Sequence, residues 1–416
     1  MFGSPFRVVR DHGFPFASSG VTGPGWAPDA PELRRRFDET GGFTVGLEEE
    51  TMLLDPETLD LAPVAVELLQ RTRGDVRFKL ELPASQLEIA TAPATSVPEA
   101  IRQLASARRD LAAAADGLAL PAVAPVHPFS APRGVLNGGP RYESLRAAYG
   151  AVAESQLVSS LQVHVAVGGA DRTLAVYHAA RGHLPELIAL AANGPFYGGQ
   201  DTDLATVRPL ICGLLPRQGV PPRLESWEEF ACELGWGDAA RGTAGTASWW
   251  WELRPHPLHG TLEFRVPDAQ TCLGQAAGVA TFVQALVATL AERCDAGEPF
   301  PDVPAWRIEE NRFSAIRHGL DGDLADLATG RRLGTRRRLT DLLTDITPAA
   351  QRLGAGRFIP HIEALIAGNG AVAQRHAVGR DGVRALPRAL SECYLTGSDS
   401  TGLVSDVSVR ERARSG

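Results

Sequence analysis

The stretch Thr44-Val45-Gly46-Leu47-Glu48-Glu49-Glu50-Thr51-Met52-Leu53-Leu54 decides how the rest of the chain is read. Side chains on a strand alternate between two faces, so Glu48 and Glu50 share one face while Leu47 and Glu49 share the other. The same alternation returns downstream. In 77–82, Phe78, Leu80 and Leu82 oppose Arg77, Lys79 and Glu81; after Pro83, Gln86 and Glu88 oppose Leu87 and Ile89. In 161–167, Gln162 and His164 oppose three valines. In 249–254, Glu252 and Arg254 oppose Trp251 and Leu253, and in 261–266 Glu263 and Arg265 oppose Leu262, Phe264 and Val266. An antiparallel sheet with one face on helices and the other in water alternates in this way. A merely solvated face mixes Lys, Thr, Ser and Glu. This one selects Glu, Gln, His and Arg, residues that ligate metals or hold phosphates.

Five carboxylates, Glu48, Glu50, Glu81, Glu88 and Glu263, would converge on that face and raise one another's pKa unless cations intervene. All-oxygen ligation favours Mg²⁺, with Mn²⁺ as the alternative, over Zn²⁺. Mg²⁺ commonly shares its shell with substrate phosphates. Carboxylates with arginines therefore point to phosphoryl transfer from ATP. There is no GxxxxGK[ST] loop and no GxGxxG after a strand, so any nucleotide must be held by metals, arginines and sheet residues.

The whole chain sets the bounds. At 416 residues, two to three domains are allowed at about 150 residues each. With 44% hydrophobic and 22% charged residues, disordered and collagen-like chains are excluded. The net charge of −8 gives no global basic field for nucleic acid. No run is read as a membrane span and no signal peptide is evident, so the expectation is a cytoplasmic protein. Lys79 is the only lysine, so anion clamps must be built mostly from Arg forks. Five scattered cysteines without a CxxC pair indicate neither a zinc knuckle nor a disulfide framework.

Residues 1–40 read as a poorly ordered arm, 41–395 as one α+β domain, and 396–416 as a flexible tail. Ser96-Val97-Pro98-Glu99 reads as a capping box opening a helix that Gly117 can end. A buried helix is expected over about 270–292, with others near 142–155, 171–192, 307–319, 337–352, 359–374 and 381–393. His127 reads as a turn residue, Glu49 as structural, and the Trp249–Trp251 cluster as core.

The ordered motifs resemble those of the glutamate–cysteine ligase type 2 family, carboxylate–amine ligases of the glutamine synthetase and guanidino kinase superfamily. They are Gly46-Leu47-Glu48-Glu49-Glu50, Glu81 with Gln86-Leu87-Glu88-Ile89-Ala90-Thr91, His127-Pro128-Phe129, Gln162-Val163-His164-Val165 and Ala192-Asn193-Gly194-Pro195-Phe196. Trp250-Trp251-Glu252-Leu253-Arg254-Pro255, Thr261-Leu262-Glu263-Phe264-Arg265, Glu310-Asn311-Arg312 and Arg317-His318-Gly319-Leu320-Asp321 complete the set over about 43–390. Glu252 stands where the family often has Asp, Gly194 where it often has Ser, and Asp203–Arg208 departs from Tyr-Ala-Ser-x-x-Arg.

The resemblance implies a curved antiparallel sheet forming a funnel, with helices on its outer face. It implies metal ligation by Glu48, Glu50, Glu81, Glu88 and Glu263. Gln162, His164, Arg265 and Arg317 would serve the nucleotide, and Arg208, Arg254 and His164 the substrate. Arg265, Arg254 and Glu50 would be the catalytic groups. The implied reaction joins a carboxylic acid and an amine, both small molecules such as amino acids, through an acyl phosphate; glutamate and cysteine are the family's best-known pair. No protein nucleophile is needed. A guanidino-kinase-type phosphotransferase and a metal-dependent hydrolase remain alternatives on the same carboxylates. Neither a nucleic acid nor a membrane is expected as partner; a homodimer is plausible by analogy.

Overall fold

The computed structural model describes residues 28–241 and 249–396. The expected arm is therefore described only from residue 28, and the expected tail only at Thr396. Seven strands form the main sheet: β1 (Val45–Leu54), β2 (Phe78–Leu80), β3 (Gln86–Ala90), β4 (Leu120–Ala122), β5 (Leu161–Val165), β6 (Leu253–His256) and β7 (Thr261–Phe264). Their order is β2-β3-β1-β5-β7-β6, with β4 pairing β1 beyond the reach of β5. Every pairing is antiparallel. The protein is α+β, as its alternating strands predict.

The register carries the functional argument. Cross-strand partners share a face, and the pairs are Lys79 with Glu88, Glu88 with Glu50, Glu48 with Gln162, His164 with Glu263, and Glu263 with Arg254. The polar residues of six strands thus stand on one side. Leu47, Leu87, Ile89, Val163, Val165, Leu262 and Phe264 stand on the other, nearly all fully buried. Each such side chain contributes about 1.5–3 kcal/mol by leaving water. They pack on helices led by Leu273–Asp295 and Val97–Ala115. By length and composition Leu273–Asp295 could cross a membrane, but 83% of its most apolar window is buried inside the fold. It is the core helix expected at 270–292.

Glu49 points into that apolar layer and is matched there. Arg108 Nε and a terminal nitrogen donate to its carboxylate at 2.8 and 2.5 Å, and the same guanidinium donates to the carbonyls of Gln270 and Thr271. Both side chains are at most 2% exposed. Removing one partner of a buried pair strands the other charge. Arg108→Met should therefore cost about 3–5 kcal/mol in urea unfolding, and adding Glu49→Leu should recover much of that loss. A double variant no more stable than the single one would contradict the pairing.

Several local expectations change. Residues 30–39 of the expected arm form a helix: Asp29 caps it by accepting from Glu32 N at 2.8 Å, and Leu33 and Phe37 are fully buried. Phe37 meets Trp227 of the unforeseen helix Trp227–Arg241. Ser96 makes no side-chain cap; Glu99 instead accepts from Thr95 N and Oγ1 at 3.0 and 2.9 Å. The segments 171–192 and 359–374 each divide into two helices, the second at Gly368-Asn369, where Asn369 caps the next helix. Cys272 and Cys393, 121 positions apart, form a disulfide that spacing alone could not reveal. Between β6 and β7 the chain turns at Gly260 with φ +64°; a Cβ there would meet the Arg36 carbonyl at 2.6 Å.

Candidate active site

The acidic face is organised from its cationic edge inward. Arg254 on β6 is buried and donates to Glu263 and to the Trp249 carbonyl. Arg265 approaches Glu263 from the other side at 2.5 Å and also donates to Gln162 Oε1 at 2.5 Å. Burial alone would raise the Glu263 pKa, but the two guanidiniums hold it well below the usual carboxylate range. Gln162 completes a relay by donating to Glu50 at 3.2 Å. Glu50 further accepts from Ser160 N and Oγ at 2.5 and 3.0 Å.

His164 sits between two carboxylates. Its Nδ1 lies 3.0 Å from Thr261 Oγ1, while Nε2 lies 3.8 Å from Glu48 and is buried without a hydrogen-bond partner. Glu48, His164 and Glu263 each offer a ligand atom, all within 4.8 Å of one another. An enclosed imidazole nitrogen beside two carboxylates could hold a divalent cation. His164 thus stands as a candidate nitrogen ligand beside the carboxylates expected from sequence. Burial raises the Glu48 pKa, yet His164 and Lys79 bring it down to about 2.

The far half of the face behaves oppositely. Burial and then Glu81 push Glu50 up to about 7, despite Arg208 and Arg265. Burial and Glu48 raise Glu88 well above the ordinary range, although Lys79 pairs with it at 2.9 Å. The protein's own cations therefore balance Glu48 and Glu263 but leave Glu50 and Glu88 short of positive charge.

An open cleft adjoins this half of the face. Glu50, Glu81, Arg265 and Arg208 line it, with Tyr142, Tyr149, Trp250 and Glu252 on its walls. Arg208 donates to the carbonyls of Val266 and Arg265 at 3.1 and 2.9 Å and lies 3.8 Å from buried Asp268. Burial pushes Asp268 up to about 6 even so.

Glu48, Glu50, Glu88, Glu263, Gln162, His164, Arg254 and Arg265 thus come together, with Glu81 and Arg208 at the cleft. Two expected ligand contacts differ. Each of Arg254's three nitrogens already has a protein partner, and Arg254 does not line the cleft. Arg317 donates to the Asp203 carbonyl and is also absent from the lining. Within the Trp cluster, Trp249 is buried against Phe230, whereas Trp250 lines the cleft against Tyr149. His127 is the turn residue expected, accepting from Ser130 N at 2.9 Å.

The sequence reading missed His256 and His259, whose rings stack 4.2 Å apart next to His164. The period-two pattern of Glu252 and Arg254, carried one step further, would have found His256. Asp268 lies past the end of β7, where no periodicity reaches it.

Comparison with known proteins places this geometry. The sequence model of the glutamate-cysteine ligase family 2 matches residues 44–388. The "Putative glutamate--cysteine ligase 2-3" of Rubrobacter xylanophilus is 37% identical over 356 residues, covering 84% of this chain and 96% of its own. The "Putative glutamate--cysteine ligase 2" of Corynebacterium glutamicum (strain R) is 30% identical over 345 residues, 82% of this chain and 92% of its own. Among solved structures, the glutamate–cysteine ligase of Francisella tularensis in complex with AMP shares the fold. Its TM-score is 0.63 at 11% identity, covering 90% of this chain and 94% of that one. The chain belongs to glutamate–cysteine ligase family 2 and is, with that family, an ATP-dependent carbon–nitrogen ligase.

Proposed function

We propose that residues 41–395 act as one catalytic unit that activates a carboxylic acid as its acyl phosphate and joins it to an amine. Glutamate and cysteine, giving γ-glutamylcysteine, are the first pair to test. The supporting observation is the convergence of Glu48, Glu50, Glu88, His164, Glu263 and Arg265 on one sheet face beside an open cleft. In this reading the acidic face is the floor of a glutamine-synthetase-like funnel.

Glu48, His164 and Glu263 would hold one divalent ion, Mg²⁺ or Mn²⁺, and Glu50, Glu81 and Glu88 a second. Such ions supply neutralisation of the triphosphate and alignment of its γ-phosphoryl group. Arg265, held by Gln162 and Glu263, is aimed to bind developing negative charge on the phosphoryl and acyl oxygens. Arg254 acts through Glu263, fixing the carboxylate's orientation. Arg208 binds the acid substrate. The walls of Tyr142, Tyr149 and Trp250 limit water, to which an acyl phosphate is vulnerable.

The deciding experiment is an ADP-release screen across acid and amine pairs, with mass spectrometry of the product. ADP and an amide appearing only when both substrates are present is the expected result. A stable phosphorylated product without an amine would instead mark a phosphotransferase, and hydrolysis without a nucleotide a metal-dependent hydrolase.

A pH dependence follows from Glu50. Its pKa in the metal-free protein is raised to about 7, so the protonated form predominates below that pH and must lose its proton to ligate. Mn²⁺ affinity should accordingly rise from pH 6 to pH 8, with proton release that shrinks as pH rises. Calorimetry in buffers of different ionisation enthalpy measures both; affinity independent of pH over this interval would contradict the assignment.

A further inference from the structure

Two buried polar atoms at the cleft have no hydrogen-bond partner among the described residues. Glu252 is 7% exposed. Its Oε1 accepts from two Arg312 nitrogens at 2.8 and 2.7 Å, while Oε2 is enclosed with no hydrogen-bond partner. Arg208 is 8% exposed; its terminal nitrogens donate to backbone carbonyls, while Nε is enclosed and equally unpartnered. Both residues line the cleft.

Both residues line the same cleft and are anchored to the same piece of backbone. The Glu252 carbonyl accepts from Arg265 N and Val266 N at 2.9 and 3.2 Å. Arg208 donates to the carbonyls of those same two residues. Arg312 ties the pair from behind, donating to Glu252 and to the Pro209 carbonyl at 3.4 Å. The anionic atom and the cationic N–H therefore come from rigidly placed side chains.

Buried polar groups in folded proteins nearly always have partners, and the exceptions need a reason. A ligand that answers both atoms must carry a cation and an anion. A free α-amino acid does: its ammonium complements Glu252 Oε2, and its α-carboxylate complements Arg208 Nε–H.

We propose that Glu252 is the specificity residue for the α-ammonium of an amino-acid donor bearing a side-chain carboxylate. With the α-head held between Glu252 and Arg208, the side-chain carboxylate is the end free to reach Arg265 and Glu50. The structure thereby selects which of the donor's two carboxylates is activated. This rests on the ligase reading above.

The probe pair is L-glutamate and glutarate, which share the reacting carboxylate and differ by the ammonium. Each is titrated by calorimetry into the full chain with Mg²⁺ and a non-hydrolysable ATP analogue. A charge-assisted hydrogen bond predicts that the natural protein binds L-glutamate about tenfold or more tighter than glutarate. Glu252→Gln should reduce that preference to within about twofold and leave glutarate affinity unchanged, while Glu252→Asp keeps most of the preference. Equal binding of both probes by the natural protein overturns the proposal, as does no L-glutamate binding or a preference that survives in Glu252→Gln. The comparison on the natural protein decides alone if the variant does not fold. Failure of the ligase reading is separate: it is the absence of any ATP-dependent amide product, whatever the discrimination between the probes.

Discussion

Replacing Glu263 by Gln should lower the rate of ATP-dependent amide formation by about 10³-fold or more, the largest single effect expected in this protein. Glu263 stands at the centre of the acidic face. Arg254 and Arg265 grip its carboxylate, and one of its oxygens lies within 4.8 Å of ligand atoms of Glu48 and His164. The amide keeps the shape but removes the charge, so the cation at that position loses affinity. The buried Arg254 guanidinium and the half-buried one of Arg265 also lose their counter-charge, which costs about 3–5 kcal/mol of stability. The two consequences separate experimentally. Thermal unfolding reports the stability term, and Mn²⁺ titration of the folded fraction reports the ligand term. A folded Glu263→Gln protein that binds Mn²⁺ and turns over normally would exclude Glu263 from the chemistry.

Arg265→Lys should cost about 10²- to 10³-fold in kcat, with a much smaller change in the KM for ATP. The guanidinium fork reaches Gln162 and Glu263 while its side chain remains 21% exposed toward the cleft. A lysine carries the charge without the planar fork, so it cannot keep Glu263 and Gln162 in place and also face the substrate. The split between kcat and KM identifies the interaction as one that strengthens at the transition state. An equal rise in KM with unchanged kcat would reassign Arg265 to simple nucleotide binding.

The acidic face was legible in the sequence because a strand has a period of two and antiparallel pairing conserves faces. Glu48, Gln162, His164, Glu263 and Arg265 could be assigned to one side before any pairing was known. Glu49 could be assigned to the other, although nothing local identified Arg108 as its partner, 59 positions away. His164 was legible as a site residue but not as a candidate third ligand, since that depends on an orphaned nitrogen only visible in three dimensions. Arg254 shows the converse limit: parity gives its face, not the fact that Glu263 and Trp249 already occupy it. The helix Ala30–Glu39 was hidden by the Gly- and Pro-rich segment before it, and its stability comes from tertiary burial of Leu33 and Phe37. The division of 171–192 into two helices follows from Gly182 and Pro185, local signals that the longer apolar pattern obscured.

Isotope transfer addresses the chemistry most directly. The acid that supports ADP release is supplied with ¹⁸O in its reacting carboxylate, together with Mg-ATP and the amine. Activation as an acyl phosphate puts one carboxylate oxygen between acyl carbon and phosphorus, and attack by the amine leaves that oxygen with phosphorus. Inorganic phosphate carrying a single ¹⁸O in step with amide formation is the expected result; unlabelled phosphate formed alongside amide would contradict carboxylate activation at this site.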